Sequence, residues 1–123
     1  MAQSTEILPN GLQLLQDDRF FKLGQDSVLL SAFAKPRRNA KLLDLGCGTG
    51  ALALLVWRPD LKITGLELQD GPLDLFRQSI AANELENVTA LQGDLRQMRT
   101  LLPHGSMDYV ICNPPYFDRN AGA

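Results

Sequence analysis

The stretch from Lys41 to Trp57 limits what this chain can fold into more than any other. Leu42, Leu43 and Leu45 form a short apolar run that reads as a buried strand. Gly46, Gly48 and Gly50 follow at alternate positions, and Ala51 to Trp57 then reads as a helix stopped by Pro59. A strand that feeds a helix through glycines is a ligand-binding device. Glycine tolerates the tight turn and lets a ligand touch the backbone, while the helix N-terminus presents free N–H groups and partial positive charge. A turn with only a structural task is the plainer alternative; three glycines straight after a buried strand weigh against it.

Two ligands fit that spacing. Gly46-x-Gly48-x-x-Ala51 matches the dinucleotide fingerprint in its Gly/Ala form. Asp44-x-Gly46-x-Gly48-x-Gly50 also resembles the first motif of S-adenosylmethionine-dependent methyltransferases. The stretch by itself does not separate NAD from S-adenosylmethionine.

The remaining elements follow in order. Pro9-Asn10-Gly11 is a turn signal between short apolar patches, which predicts a small hairpin or an irregular arm. Asp26 precedes an apolar helix over Ser27 to Ala34 and reads as its N-cap or as a ligand contact. Lys35, Arg37, Arg38 and Lys41 form a basic cluster, read as a solvated loop in preference to an RNA phosphate contact. A second strand spans Leu61 to Leu66 and ends at Glu67, about 20 residues past the glycines, where a carboxylate can accept from two adjacent ribose hydroxyls. Pro72 opens a helix whose buried face is Leu73, Phe76 and Ile80, with Asn83 as its C-terminal cap. Val88 to Leu91 is a third strand closed by Gly93-Asp94. Asp94 either accepts from an adenine amino group or caps a helix over Leu95 to Leu102. His104 falls in a turn and reads as a solvated loop residue. Met107 to Cys112 is a fourth strand.

Strands alternating with helices predict an α/β fold with a parallel sheet and right-handed crossovers. Every strand then ends on one edge, where ligands bind, so Asp44, Glu67, Asp94 and Asn113 are expected to converge on a single cleft. The 123 residues suffice for one domain. A net charge of -2 excludes a strongly basic nucleic-acid binder, so contact with RNA would need a local patch or shape. No apolar run approaches a membrane span, and the N-terminus lacks the regions of a signal peptide. Cys47 and Cys112 have neither the spacing nor the partners of a zinc site or a disulfide framework. Together these features predict a cytoplasmic protein without a metal.

Asn113-Pro114-Pro115-Tyr116, directly after the fourth strand, bears on the chemistry. Methylating an exocyclic or amide NH2 is hard because the nitrogen lone pair is delocalised. Acceptors on both N–H groups localise it. The Asn113 side-chain oxygen and the Pro114 carbonyl are two such acceptors. The prolines stiffen the backbone that carries them, and Tyr116 offers a flat face for a planar base or amide. Holding the nitrogen in line with a methyl donor is then the protein's main contribution. A dehydrogenase has no use for this motif.

These residues together resemble the class I S-adenosylmethionine-dependent methyltransferases that methylate amino groups. Phe21-Lys22-Leu23-Gly24-Gln25-Asp26-Ser27-Val28-Leu29-Leu30 ahead of Asp44-Leu45-Gly46-Cys47-Gly48-Thr49-Gly50 is similar to the bacterial tRNA1(Val) adenine-37 N6-methyltransferases. The resemblance implies a Rossmann-like fold with parallel strands in the order 3-2-1-4. Residues 1–40 would be an arm and helix packing on the cofactor cleft, and 41–123 the cofactor-binding half-domain. It implies S-adenosyl-L-methionine as cofactor. Asp44, Gly46, Cys47, Gly48 and Gly50 would lie at its methionine end, Glu67 and Leu68 at the ribose, and Asp94 and Leu95 at the adenine, with Asp26 and Asn113 also touching it. Asn113, Pro114, Pro115 and Tyr116 would hold the target amine, an adenine of a tRNA anticodon loop turned into the cleft. That family continues after the motif with further strands, whereas only Phe117 to Ala123 follow here. The fourth strand is therefore expected to have an exposed edge suited to a partner or to self-association. A glutamine-amide methyltransferase and a non-catalytic S-adenosylmethionine-binding module are the alternatives.

Overall fold

The computed structural model describes residues 3–20, 25–97, 100, 102 and 105–112. Pro9-Asn10-Gly11 closes an antiparallel hairpin of β1 (Gln3–Ile7) and β2 (Gln13–Asp17). Gly11 sits at φ 88°, where a β-carbon is strained. The Asn10 amide donates to the Leu54 carbonyl at 2.7 Å, tying the turn to the body. Next comes α1 (Gln25–Phe33), which begins before Asp26. Asp26 therefore lies in the first turn and is not the N-cap, a position an acidic residue occupies favourably against the helix dipole.

The glycine stretch joins β3 (Lys41–Leu45) to α2 (Ala51–Leu55). The helix ends two residues before Trp57. Proline restrains the residue ahead of it to extended backbone, and the turn tightens already at Trp57, whose N–H donates to the Leu54 carbonyl. Then follow β4 (Lys62–Glu67), α3 (Asp70–Ala82), β5 (Val88–Gln92) and, after a 3-10 turn over Leu95–Gln97, β6 (Tyr109–Cys112). That turn stands where the start of a longer helix was expected, and Asp94 Oδ1 caps it by accepting from the Arg96 N–H. The four later strands form one parallel sheet in the order β5-β4-β3-β6, as expected from the sequence.

Leu42, Ile63, Val88 and Ile111 share a core with Leu52, Leu54, Leu73 and Phe76 of α2 and α3. Each such side chain contributes about 1.5–3 kcal/mol when buried. The hairpin adds Leu8 and Leu14 to that core and is sewn onto α3. The Leu15 N–H donates to Ser79 Oγ at 2.9 Å, and the Gln13 N–H donates to Asn83 Oδ1 at 2.8 Å. Asn83 caps α3, its amide donating to the Ser79 and Gln13 carbonyls. Glu84 follows in the left-handed region at φ 53°, with Leu85 N–H returning to the Ile80 carbonyl in a Schellman arrangement.

At the opposite end of the sheet Arg58 staples two loops. Its guanidinium donates to the Pro36 and Arg37 carbonyls and to both oxygens of Asp60, one of which also accepts from the Asn39 N–H. No helix of the described residues is long and apolar enough to cross a membrane.

Candidate functional site

The site is built on the edge where β3, β4 and β5 end. Gly46, Gly48 and Gly50 all take positive φ, at 64°, 57° and 89°. A β-carbon at Gly46 or Gly48 would meet nothing within 4 Å, so the turn leaves open space above its backbone. Gly50 differs: a β-carbon there would fall 2.1 Å from the Phe76 ring, which underlies the turn and also lies 2.5 Å from one built at Gly65.

Glu67, the last residue of β4, reaches across this turn. One carboxylate oxygen accepts from the Gly48 N–H at 2.8 Å and the other from the Gln69 N–H at 2.9 Å. Each oxygen keeps a second lone pair for an incoming hydroxyl. The Glu67 carbonyl accepts from the Gly93 N–H at 3.0 Å, which links the end of β4 to the segment carrying Asp94.

Asp44 is 1% exposed and lies within β3 beside Gly65 and Ile111. Burial pushes its carboxyl up to about 7, the Glu67 charge adds to this, and the Ala53 backbone N–H opposes it. Its Oδ2 is buried and has no hydrogen-bond partner among the described residues. An orphaned buried carboxylate oxygen two residues before the open glycine turn suits a cationic ligand group. The sulfonium and ammonium of S-adenosylmethionine would satisfy it, so these residues fit that cofactor.

Cys47 is buried in the turn, and burial first, then Asp44 and Glu67, lifts its thiol well above the usual range. It is no nucleophile here. Leu68, next to Glu67, is 59% exposed and offers an apolar surface just beyond the end of β4. Asp94 is already engaged: Oδ1 accepts from the Arg96 N–H, and Oδ2 from Arg96 Nε and Nη2 at 3.0 and 2.6 Å. The Arg96 guanidinium accordingly holds its carboxyl below the ordinary value.

The structure thus brings together Asp44, the three glycines and Glu67, and ties the segment of Asp94 to them. Asn113, Pro114, Pro115 and Tyr116, the side chains of Asp26 and Leu95, and His104 lie outside the described residues. Phe76 beneath the glycines and Arg96 on Asp94 were not identified as site residues from sequence. The Asp-x-Arg spacing, which favours a local side-chain turn, was the available signal for Arg96.

Comparison with known proteins agrees with this geometry. The model of the methyltransferase small domain family matches residues 24–122. A protein of Pseudoalteromonas translucida named tRNA1(Val) (adenine(37)-N6)-methyltransferase is 36% identical over 101 residues, covering 80% of this chain and 42% of that protein. A protein of the same name from Yersinia pestis is 32% identical over 100 residues, covering 78% of this chain and 40% of its own. The chain thus spans about two-fifths of the length of these curated relatives. Among solved structures, the Pyrococcus abyssi tRNA (uracil-54, C5)-methyltransferase in complex with S-adenosyl-L-homocysteine superposes with a TM-score of 0.71. It is 15% identical, with 94% of this chain and 29% of that one covered, which shows a shared fold. A parallel β5-β4-β3-β6 sheet, a glycine turn at its ligand-binding edge and a family match over most of the sequence lead to one assignment: the chain belongs to the methyltransferase small domain family.

Proposed function

We propose that the chain binds S-adenosylmethionine and serves methyl transfer to the N6 amine of an adenine in a tRNA anticodon loop. The observation that carries this reading is the buried, unpartnered Asp44 oxygen beside the open glycine turn and Glu67. The names of the relatives at 32–36% identity support the choice of substrate.

In this reading Asp44 faces the positive charge of the cofactor, and Gly46, Cys47, Gly48 and Gly50 admit its methionine end against the backbone. Glu67 receives the ribose hydroxyls, with Leu68 against the adjoining ring. Asp94 offers the adenine amino group the lone pair that Oδ1 keeps beside the Arg96 N–H, Leu95 adjoins the adenine, and Asp26 closes the methionine side. When bound, the cofactor supplies an activated methyl group. Asn113 Oδ1 and the Pro114 carbonyl accept the two hydrogens of the target amine and localise its lone pair, Pro115 stiffens that segment, and Tyr116 stacks on the base. The proton lost by the amine passes to solvent.

Isothermal titration with S-adenosylmethionine and S-adenosylhomocysteine, with NADH as control, tests the cofactor. Micromolar binding of the first two and none of NADH is expected. A folded chain that binds neither would sink the roles of Asp44 and Glu67. Glu67→Gln should weaken binding by about 10- to 100-fold, the loss of a charge-assisted hydrogen bond. Radiolabelled methyl transfer to bulk tRNA, compared with a translation release factor, tests the substrate. Label in protein glutamine instead of RNA would refute the RNA assignment.

A further inference from the structure

Half of the chain's 12 lysines and arginines lie between residues 35 and 62, although the net charge is -2. Within that span the only acids are Asp44, buried in β3, and Asp60. The fold gathers these cations at the edge of the sheet where strands begin, opposite the glycine turn. Lys41 and Lys62 open adjacent parallel strands in direct register, and both are exposed. Lys35 and Arg38 are exposed on the loop that leads into β3.

This loop is built. Ala40 N–H donates to the Arg37 carbonyl, Asn39 takes φ 62°, the Asn39 N–H donates to Asp60, and Arg58 holds the Pro36 and Arg37 carbonyls. Two of the six cations are committed to carboxylates: Arg58 to Asp60 at 2.9 Å and Arg37 to Asp108 at 3.2 Å. Lys35, Arg38, Lys41 and Lys62 have no carboxylate partner among the described residues. They therefore form a group of four exposed cations held on a built loop and two strand starts, with Asp108, bonded to the Lys41 N–H, as the acid nearest to Lys41.

We propose that this edge is a docking surface for the phosphate backbone of the RNA substrate, remote from the methylated nucleotide. Strand rise sets the patch roughly 15–20 Å from the glycine turn. A ligand the size of the cofactor cannot reach both ends, whereas a folded RNA can. Exposed cations of this kind suit sequence-independent backbone contact. The inference rests on the RNA reading above for the nature of the polyanion.

The test is binding of the 123-residue chain to bulk tRNA, followed by fluorescence anisotropy across a salt series, for wild type, Lys35→Gln/Arg38→Gln/Lys41→Gln/Lys62→Gln and Arg77→Gln. The quadruple variant should bind roughly 100-fold or more weakly at about 50 mM salt, and its log K against log salt slope should fall by about 3. Arg77→Gln, on α3, should resemble wild type, and S-adenosylmethionine titration should be the same for all three, which also shows that the variants fold. A quadruple variant that binds RNA with unchanged slope overturns the proposal, as does a wild-type chain that does not bind tRNA at low salt. Patch-dependent binding without methyl transfer to any RNA upholds the surface and sinks the functional reading instead.

Discussion

Asp44→Asn replaces a carboxyl by an uncharged amide of nearly the same shape at a position 1% exposed. Burial lifts that carboxyl from its ordinary 3.8 to about 7. Between those values the native carboxyl retains a proton that the unfolded chain has already lost, so the native state binds more protons and stability falls as pH rises. Above pH 7 the full cost of holding the charge is present, about 4 kcal/mol at roughly 1.4 kcal/mol per pH unit. The amide removes that cost but puts N–H donors where Oδ2 had no partner, which costs about 1–3 kcal/mol. The variant should therefore be about 1–3 kcal/mol more stable than wild type at pH 8. Between pH 5 and 8 it should lose about 3 kcal/mol less stability than wild type does. Urea unfolding at both pH values measures this, and the other titrating groups cancel in the comparison. Equal pH dependence in the two proteins would refute the reasoning, as would a variant less stable than wild type at pH 8. In the proposed cofactor reading the same substitution weakens S-adenosylmethionine binding, so the gain in stability comes with a loss of ligand affinity.

Other substitutions probe the frame of the site and the hairpin. Gly50→Ala should cost several kcal/mol in chemical denaturation, because its β-carbon collides with Phe76 on top of an unfavourable φ. Gly46→Ala should cost only the strained backbone, about 1–2 kcal/mol, since its β-carbon meets nothing. Equal losses at the two positions would discount the role given to Phe76. Glu84→Gly should raise the urea midpoint by an equivalent of about 0.5–1 kcal/mol at unchanged m-value, since Glu84 occupies the left-handed position after the Asn83 cap. Asn83→Ala removes three side-chain hydrogen bonds at the end of α3. Hydrogen exchange should then quicken at Gln13 and Leu15 by at least about tenfold while the β3 amides remain protected.

The sheet order and the glycine turn were legible because their signals are local and periodic: apolar runs bounded by glycine and proline, each strand followed by helix. Asn83 as a cap and Glu67 at a strand end were legible for the same reason. Helix limits at Trp57 and Asp26 shifted by a turn or less because proline and fraying ends set them, not the apolar pattern. The partners of side chains across the fold were not legible. Nothing in the sequence couples Ser79 to Leu15, or Phe76 to Gly50, since these contacts depend on how the hairpin and helices meet. Asp94 stood open between two readings from sequence, as adenine acceptor or as cap. The structure has it capping the 3-10 turn, Oδ1 accepting from the Arg96 N–H while Oδ2 accepts from the Arg96 guanidinium. The basic cluster was read as a solvated loop, and the structure does expose it. What the sequence lacked was the register of Lys41 with Lys62, which turns a linear run of charge into a surface.

The stitching of the hairpin to α3 also orders events during synthesis. Gln13 and Leu15 bond to residues 70 and 64 positions further along the chain. A ribosome working at roughly 5–20 residues per second needs about 4–14 s to deliver those partners. Throughout that interval Leu8 and Leu14 lack the helix that covers them. A hairpin made before α3 is thus secured only after it, and the polar run Gln3, Ser4, Thr5 and Glu6, with Gln13, Gln16 and Asp17 opposite, keeps it dissolved while it waits.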